Sequence, residues 1–157
     1  MSGRAMRHAV WVGVALIPVA VVYWLASHSP RPSGLGLSRG KLSPCPASPN
    51  CVCSEVSDEP HSVAPLEFKG TPPEAEKKLR QAVLGMRNTT LIEAKNGYLS
   101  AEFRSTFFRF VDDVEFSIEP EAKRIQVRSA SRVGRSDLGV NRRRIEEIRR
   151  RFSELQP

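Results

Sequence analysis

At 157 residues, with 40% hydrophobic and 26% charged side chains, the chain is too short for two full-sized domains and too apolar for a disordered polymer. The formal charge of +7 is uneven: residues 42–121 carry 8 basic and 13 acidic side chains, whereas residues 122–157 carry 11 and 4. A basic C-terminal end on an acidic body suits contact with an anionic surface, and it equally suits a solvated basic helix.

Residues 9–26 read AVWVGVALIPVAVVYWLA, eighteen positions without a charge. That is the length of a short membrane-spanning helix. Arg4 and Arg7 stand before it, and Tyr23 and Trp24 lie near its far end, where interfacial aromatics belong. Pro18 is tolerable in lipid, where neighbouring groups re-satisfy the freed carbonyl. Residues 1–26 are therefore expected to be an uncleaved signal anchor. It would make a single pass through the inner (cytoplasmic) membrane and leave the globular part outside the cytoplasm. The alternative is secretion after signal cleavage: Ser27 and Ser29 offer the small residues, although Pro30 would follow the cut directly.

Residues 27–44, SHSPRPSGLGLSRGKLSP, show no core-forming period and read as a Pro/Gly/Ser linker. A globular domain is expected over residues 45–157. It opens on a stretch with four prolines between Pro44 and Pro60, which argues against helix or central strand. Ser48-Pro49-Asn50 is a turn signal. Cys45, Cys51 and Cys53 fall here. A structural zinc site asks for four N or S ligands at set spacings; three cysteines with His61 make the number, but one Cys-x-Cys with a single Cys before it is not the usual spacing, so no metal or other cofactor is expected. Cys45 can pair with Cys51 or with Cys53, a disulfide suited to an oxidising compartment, and spacing does not choose between the two.

Residues 63–68 suggest a short edge strand, limited by Pro65. Thr71, Pro72 and Glu74 supply the cap, first position and capping box of a helix reaching about Met86. Its apolar positions Ala75, Leu79, Ala82, Val83 and Met86 recur at three and four residues. Four strands are then expected, over residues 89–94, 98–106, 113–119 and 124–130, with Asn96-Gly97 closing the first hairpin. Phe107, Phe108, Phe110 and Val111 form an apolar link between the second and third, able to continue a strand after a bulge. One face alternates Leu99, Ala101, Phe103, Val114, Phe116, Ile118, Ile125 and Val127. The other shows Glu102, Arg104, Glu115, Gln126 and Arg128, read as an ion-pair ladder worth roughly a few tenths of a kcal/mol per pair. A last helix follows Ser136 or Asp137 as cap, with Val140, Ile145, Ile148 and Phe152 as its buried stripe. The fold class is thus α+β: a four- to five-stranded antiparallel meander with two helices on one face, preceded by a transmembrane helix.

Residues 128–142, RSASRVGRSDLGVNR, hold the densest collection of hydrogen-bonding side chains in the chain, and they end at a helix start able to receive an anion. Together with Cys45-Pro46-Ala47-Ser48-Pro49-Asn50-Cys51-Val52 and Asp112-Asp113-Val114-Glu115-Phe116, this stretch resembles the domain of unknown function 1499 family. The three motifs stand in the right order over about residues 41–153. The family occurs in bacteria and plastid-bearing eukaryotes and has no established activity, so the resemblance implies no catalytic residues. Cys53 departs from the family pattern, where Ser is usual, and this implies pairing of Cys45 with Cys51.

No nucleophile elbow, phosphate-binding loop or dinucleotide fingerprint is present. Asp112 and Asp113 are adjacent on a strand and so point to opposite faces, which argues against a shared acid-base pair. Nucleic acid is not an expected partner, because the basic helix lacks interleaved aromatics. The expected function is a membrane-tethered extracytoplasmic binding or structural module. Its loop, through Arg128, Ser131, Arg132, Arg135, Asp137 and Asn141, would hold an anionic group such as a small molecule or lipid headgroup. The alternative is an enzyme of unknown class with a site around His61, Arg132 and Asp137. A purely structural reading ties Arg128 and Arg132 to Asp112, Asp113 or Asp137.

Overall fold

Alternation of apolar and polar residues from Tyr98 onward builds the centre of the molecule. The computed structural model describes residues 20, 21, 23–26 and 28–156. Strands β1 (Cys51–Cys53) and β2 (Leu66–Glu67) precede helix α1 (Pro72–Leu84). Strands β3 (Thr89–Lys95), β4 (Tyr98–Arg104), β5 (Val111–Glu119) and β6 (Arg124–Ser131) follow, and helix α2 (Val140–Glu154) closes the fold. The sheet is antiparallel with order β1-β6-β5-β4-β3, and β2 shares the β6 edge with β1. It is an α+β fold whose four long strands form the expected meander.

Local chemistry explains the boundaries. Thr71 caps α1, its backbone N–H donates to Glu74 at 2.9 Å, and Pro72 occupies the first turn. Asn96 and Gly97 both take positive φ, 53° and 76°, which the tight β3–β4 turn requires. The buried residues of both helices, Ala75, Leu79, Ala82 and Val83 from α1 and Ile145, Ile148 and Phe152 from α2, join one core with Leu99, Phe103, Val114, Phe116 and Val127. Both helices therefore lie on the same face of the sheet.

The proline-rich stretch holds neither helix nor central strand, and its proline-free part contributes a three-residue edge strand, β1. Three expectations are corrected. Val140 is 39% exposed and Asn141 takes the buried place in the first turn of α2. The link 105–110 is a turn that leaves Phe107 85% exposed. The charged face carries ion pairs as expected, Arg128 on Glu115 and Arg104 on Glu102, but it is covered: Glu102, Glu115 and Gln126 are buried. Residues 31–44 lie against that face, with Arg31 on Glu102, the Gly36 N–H on Glu115 at 2.7 Å, and Leu42 buried.

Of the expected anchor over residues 1–26, all but residues 20, 21 and 23–26 lie outside the described residues; those six are helical. Among the described residues, no helix is long and apolar enough to cross a membrane.

Candidate functional site

The end of β6 and the loop to α2 divide their side chains between the two faces of the sheet. Ser129 and Ser131 point toward the helices, while Arg128, Ala130 and Arg132 point to the charged face. Asp112 and Asp113 of β5 split in the same way, facing Ser131 and Ala130 in the ladder.

On the helical side, Asn141 is fully buried and serves as a hub. Its Nδ2 donates to the Asn50 carbonyl at 2.9 Å and to Ser131 Oγ at 3.0 Å, and its Oδ1 accepts from Ser129 Oγ at 2.5 Å and Arg144 Nη1 at 2.6 Å. Arg144 also pairs with Asp112 and lies over the Phe103 ring. Asn50 returns the connection, with Nδ2 donating to the Gly134 carbonyl at 2.7 Å. These bonds pin the loop to the β1 entrance and to the first turn of α2.

On the charged side, the Arg132 side chain is 6% exposed and grips Asp113 with a two-pronged fork, Nε to Oδ2 at 2.8 Å and Nη2 to Oδ1 at 2.6 Å. Its Nη2 also reaches Glu102 at 2.6 Å, and Nη1 donates to the Ser29 carbonyl at 3.2 Å. Glu102 accepts further bonds from Arg31 and Arg104. Burial alone would raise the Glu102 carboxyl, but the bonds and charges of Arg31 and Arg132 outweigh it and hold it at about 2. The hydrogen bond to Asp113 foremost keeps Arg132 firmly charged. Glu115, fully buried, accepts from Arg128 Nη1 at 3.0 Å, from the Tyr98 hydroxyl at 2.8 Å and from Gly36. Burial, then the charge of Glu115, pushes the Tyr98 phenol upward.

The loop tip is held more lightly. Asp137 accepts from the backbone N–H groups of Gly139 at 3.0 Å and Asn141 at 2.7 Å, so it caps the start of α2 from two residues ahead of Gly139. Ser136 accepts from the Leu138 N–H, and Arg135 is exposed.

Two cavities flank the loop. One, of about 460 Å³, lies between the proline-rich segment and the charged face, lined by Pro32, Pro44, Cys45, Pro46, Asp113, Arg128, Ala130, Ser131 and Arg132. Arg128 Nε is a buried side-chain polar atom with no hydrogen-bond partner among the described residues. The other, of about 270 Å³, lies between the loop and residues 105–110 and is lined by Ser105, Phe110, Asp112, Ser131, Val133, Gly134, Ser136, Asp137, Leu138 and Val140. Ser131 borders both.

The six candidate binding residues thus fall into three settings. Arg128, Ser131 and Arg132 line the larger cavity, Asn141 is a buried hub, and Arg135 and Asp137 belong to the tip. His61 stands apart: its Nδ1 pairs with Asp58 and its Nε2 lies 3.1 Å from the Ser48 carbonyl. Glu102, Glu115 and Asn50 carry much of the network and lie outside the residues that sequence points to as a site, because a lone carboxylate or amide in a strand or turn has no local signature. Cys45 and Cys51 form a disulfide and Cys53 is a buried free thiol.

Residues 41–152 match the model of a family described as "Protein of unknown function (DUF1499)". No curated protein and no solved structure matches the chain.

Proposed function

Since the chain belongs to the DUF1499 family, whose description leaves activity open, we propose from its site that it is a membrane-tethered extracytoplasmic module that binds a small anionic group. The group sits in the cavity of about 460 Å³ beneath the proline-rich segment. One observation carries this reading. Arg128 lines that cavity, its Nη1 pairs with Glu115, and its Nε is a buried donor without a partner among the described residues. A buried donor without an acceptor is costly, and one carboxylate or phosphate oxygen entering beside it supplies the missing bond. Arg132 chiefly orients the site, because Asp113, Glu102 and the Ser29 carbonyl already take all but one of its five N–H groups. The tether is supported by the uncharged run at residues 9–26, and the compartment by the Cys45–Cys51 disulfide.

The test is a thermal melt of the full chain in detergent with inorganic phosphate or acetate, against chloride at equal ionic strength. A ligand at 100 times its Kd stabilises by about 2.7 kcal/mol. One of the two anions should raise the melting temperature of the native protein and leave Arg128→Lys unmoved, since lysine keeps the charge beside Glu115 but lacks the Nε fork. An equal response in Arg128→Lys, or no response to either anion, would overturn the reading.

A further inference from the structure

The end of the sheet from which the two loops emerge has a different character. Arg104 pairs with Val111 at the base of the 105–110 turn, and the Arg132 N–H donates to the Val111 carbonyl at 3.1 Å, so that turn and the 132–139 loop stand side by side. Their tips are apolar and face water: Phe107 is 85% exposed, Leu138 83%, Phe108 44% and Val140 39%. A hairpin closure needs none of these side chains, and clustered apolar exposure on this scale marks an interaction surface.

The fully exposed charges around the tips are positive. Arg109 and Arg135 are exposed beside them. The nearby acids are internally engaged, Asp112 by Arg144 and Asp137 by the backbone of α2. The chain also enters the fold at this end: Ala26 is fully buried, and the Ser29 carbonyl accepts from Arg132. Residues 23–26, the end of the uncharged run, therefore meet the domain beside these loops. We propose that this end docks on a bilayer with anionic headgroups, Phe107, Phe108 and Leu138 entering the interface while Arg109 and Arg135 meet lipid phosphates. A second copy is the poorer occupant, because it would bring the same positive charge face to face with itself.

The inference rests on the proposed tether and is independent of the anion site at Arg128. Nitroxides attached through Phe107→Cys, Leu138→Cys and, at the opposite end of the sheet, Glu121→Cys report where each position lies. Cys53 is buried and does not compete for the label. The full chain is reconstituted into vesicles of phosphatidylcholine with phosphatidylglycerol, and of phosphatidylcholine alone. In the anionic vesicles, positions 107 and 138 should collide with oxygen more than with a water-soluble nickel chelate, position 121 should show the reverse, and the contrast should weaken without phosphatidylglycerol. Vesicle-bound protein in which 107 and 138 are as nickel-accessible as 121 overturns the docking alone, leaving the tether standing. Dipolar broadening between labels at 138 overturns it in favour of a second copy. Burial that is unchanged without phosphatidylglycerol overturns the role of the two arginines. Protein that does not float with the vesicles ends both the tether and this inference.

Discussion

Arg132 directs all three of its nitrogens into the protein, onto Asp113, Glu102 and the Ser29 carbonyl. Removing one partner of such a buried pair costs about 3–5 kcal/mol, whereas a lost helix cap costs roughly 1 kcal/mol. Arg132→Ala should therefore lower the melting temperature well beyond Asp137→Ala. The two residues bond to different partners, so the double mutant should be additive within about 0.5 kcal/mol. An unchanged melting temperature for Arg132→Ala would remove its structural role. Glu102 gives a separate pH test. Its folded carboxyl lies at about 2 against an ordinary 4.5, so its contribution is complete above pH 4.5 and is lost as pH falls toward 2. Urea midpoints at pH 7 and pH 3 should differ less in Glu102→Gln than in the native protein. His61 carries the opposite sign: the hydrogen bond to Asp58 raises it above 6.5, so its contribution holds below pH 6.5 and fades as pH rises through the folded value.

At the scale of elements, the segment over residues 31–44 has neither helix nor strand, yet it buries one face of the sheet through Arg31, Gly36 and Leu42. Gly36 adopts φ 104°, a conformation that brings its N–H to Glu115 and that L side chains rarely take. The Cys45–Cys51 disulfide fastens the next stretch beside β1, whose three residues alone make a weak anchor. Loss of the disulfide should cost about 2–5 kcal/mol. Non-reducing peptide mapping should find Cys45 linked to Cys51. Cys53 should resist alkylation until the protein is unfolded, because burial above all raises its thiol. Alkylation of Cys45 and Cys51 in the native protein would exclude the pairing.

For the whole molecule, the proposed tether predicts that the full chain stays in the membrane fraction after carbonate washing, with the globular part open to external protease. Recovery of a soluble chain starting near Pro30 would establish cleavage in its place. Much of the architecture is legible without coordinates, because strand and helix periods are local properties. Alternation from Leu99 to Phe103 and from Val114 to Ile118 marks one core face, Asn96-Gly97 marks its first turn, and Thr71 with Glu74 marks the start of α1. The division of Asp112 from Asp113 follows from the same two-residue period. What the tertiary structure alone decided is which polar groups are buried and with whom. Arg132 meets Asp113 and Glu102, and Arg144 takes Asp112, because strand register and helix docking bring together residues up to 32 positions apart. Asn141 replaces Val140 in the interior because its amide finds the Asn50 carbonyl and two serine hydroxyls there. The cover over the charged face was invisible for a related reason: it is held by the Gly36 N–H on Glu115 and the Arg31–Glu102 ion pair, and those leave no period in the amino-acid order.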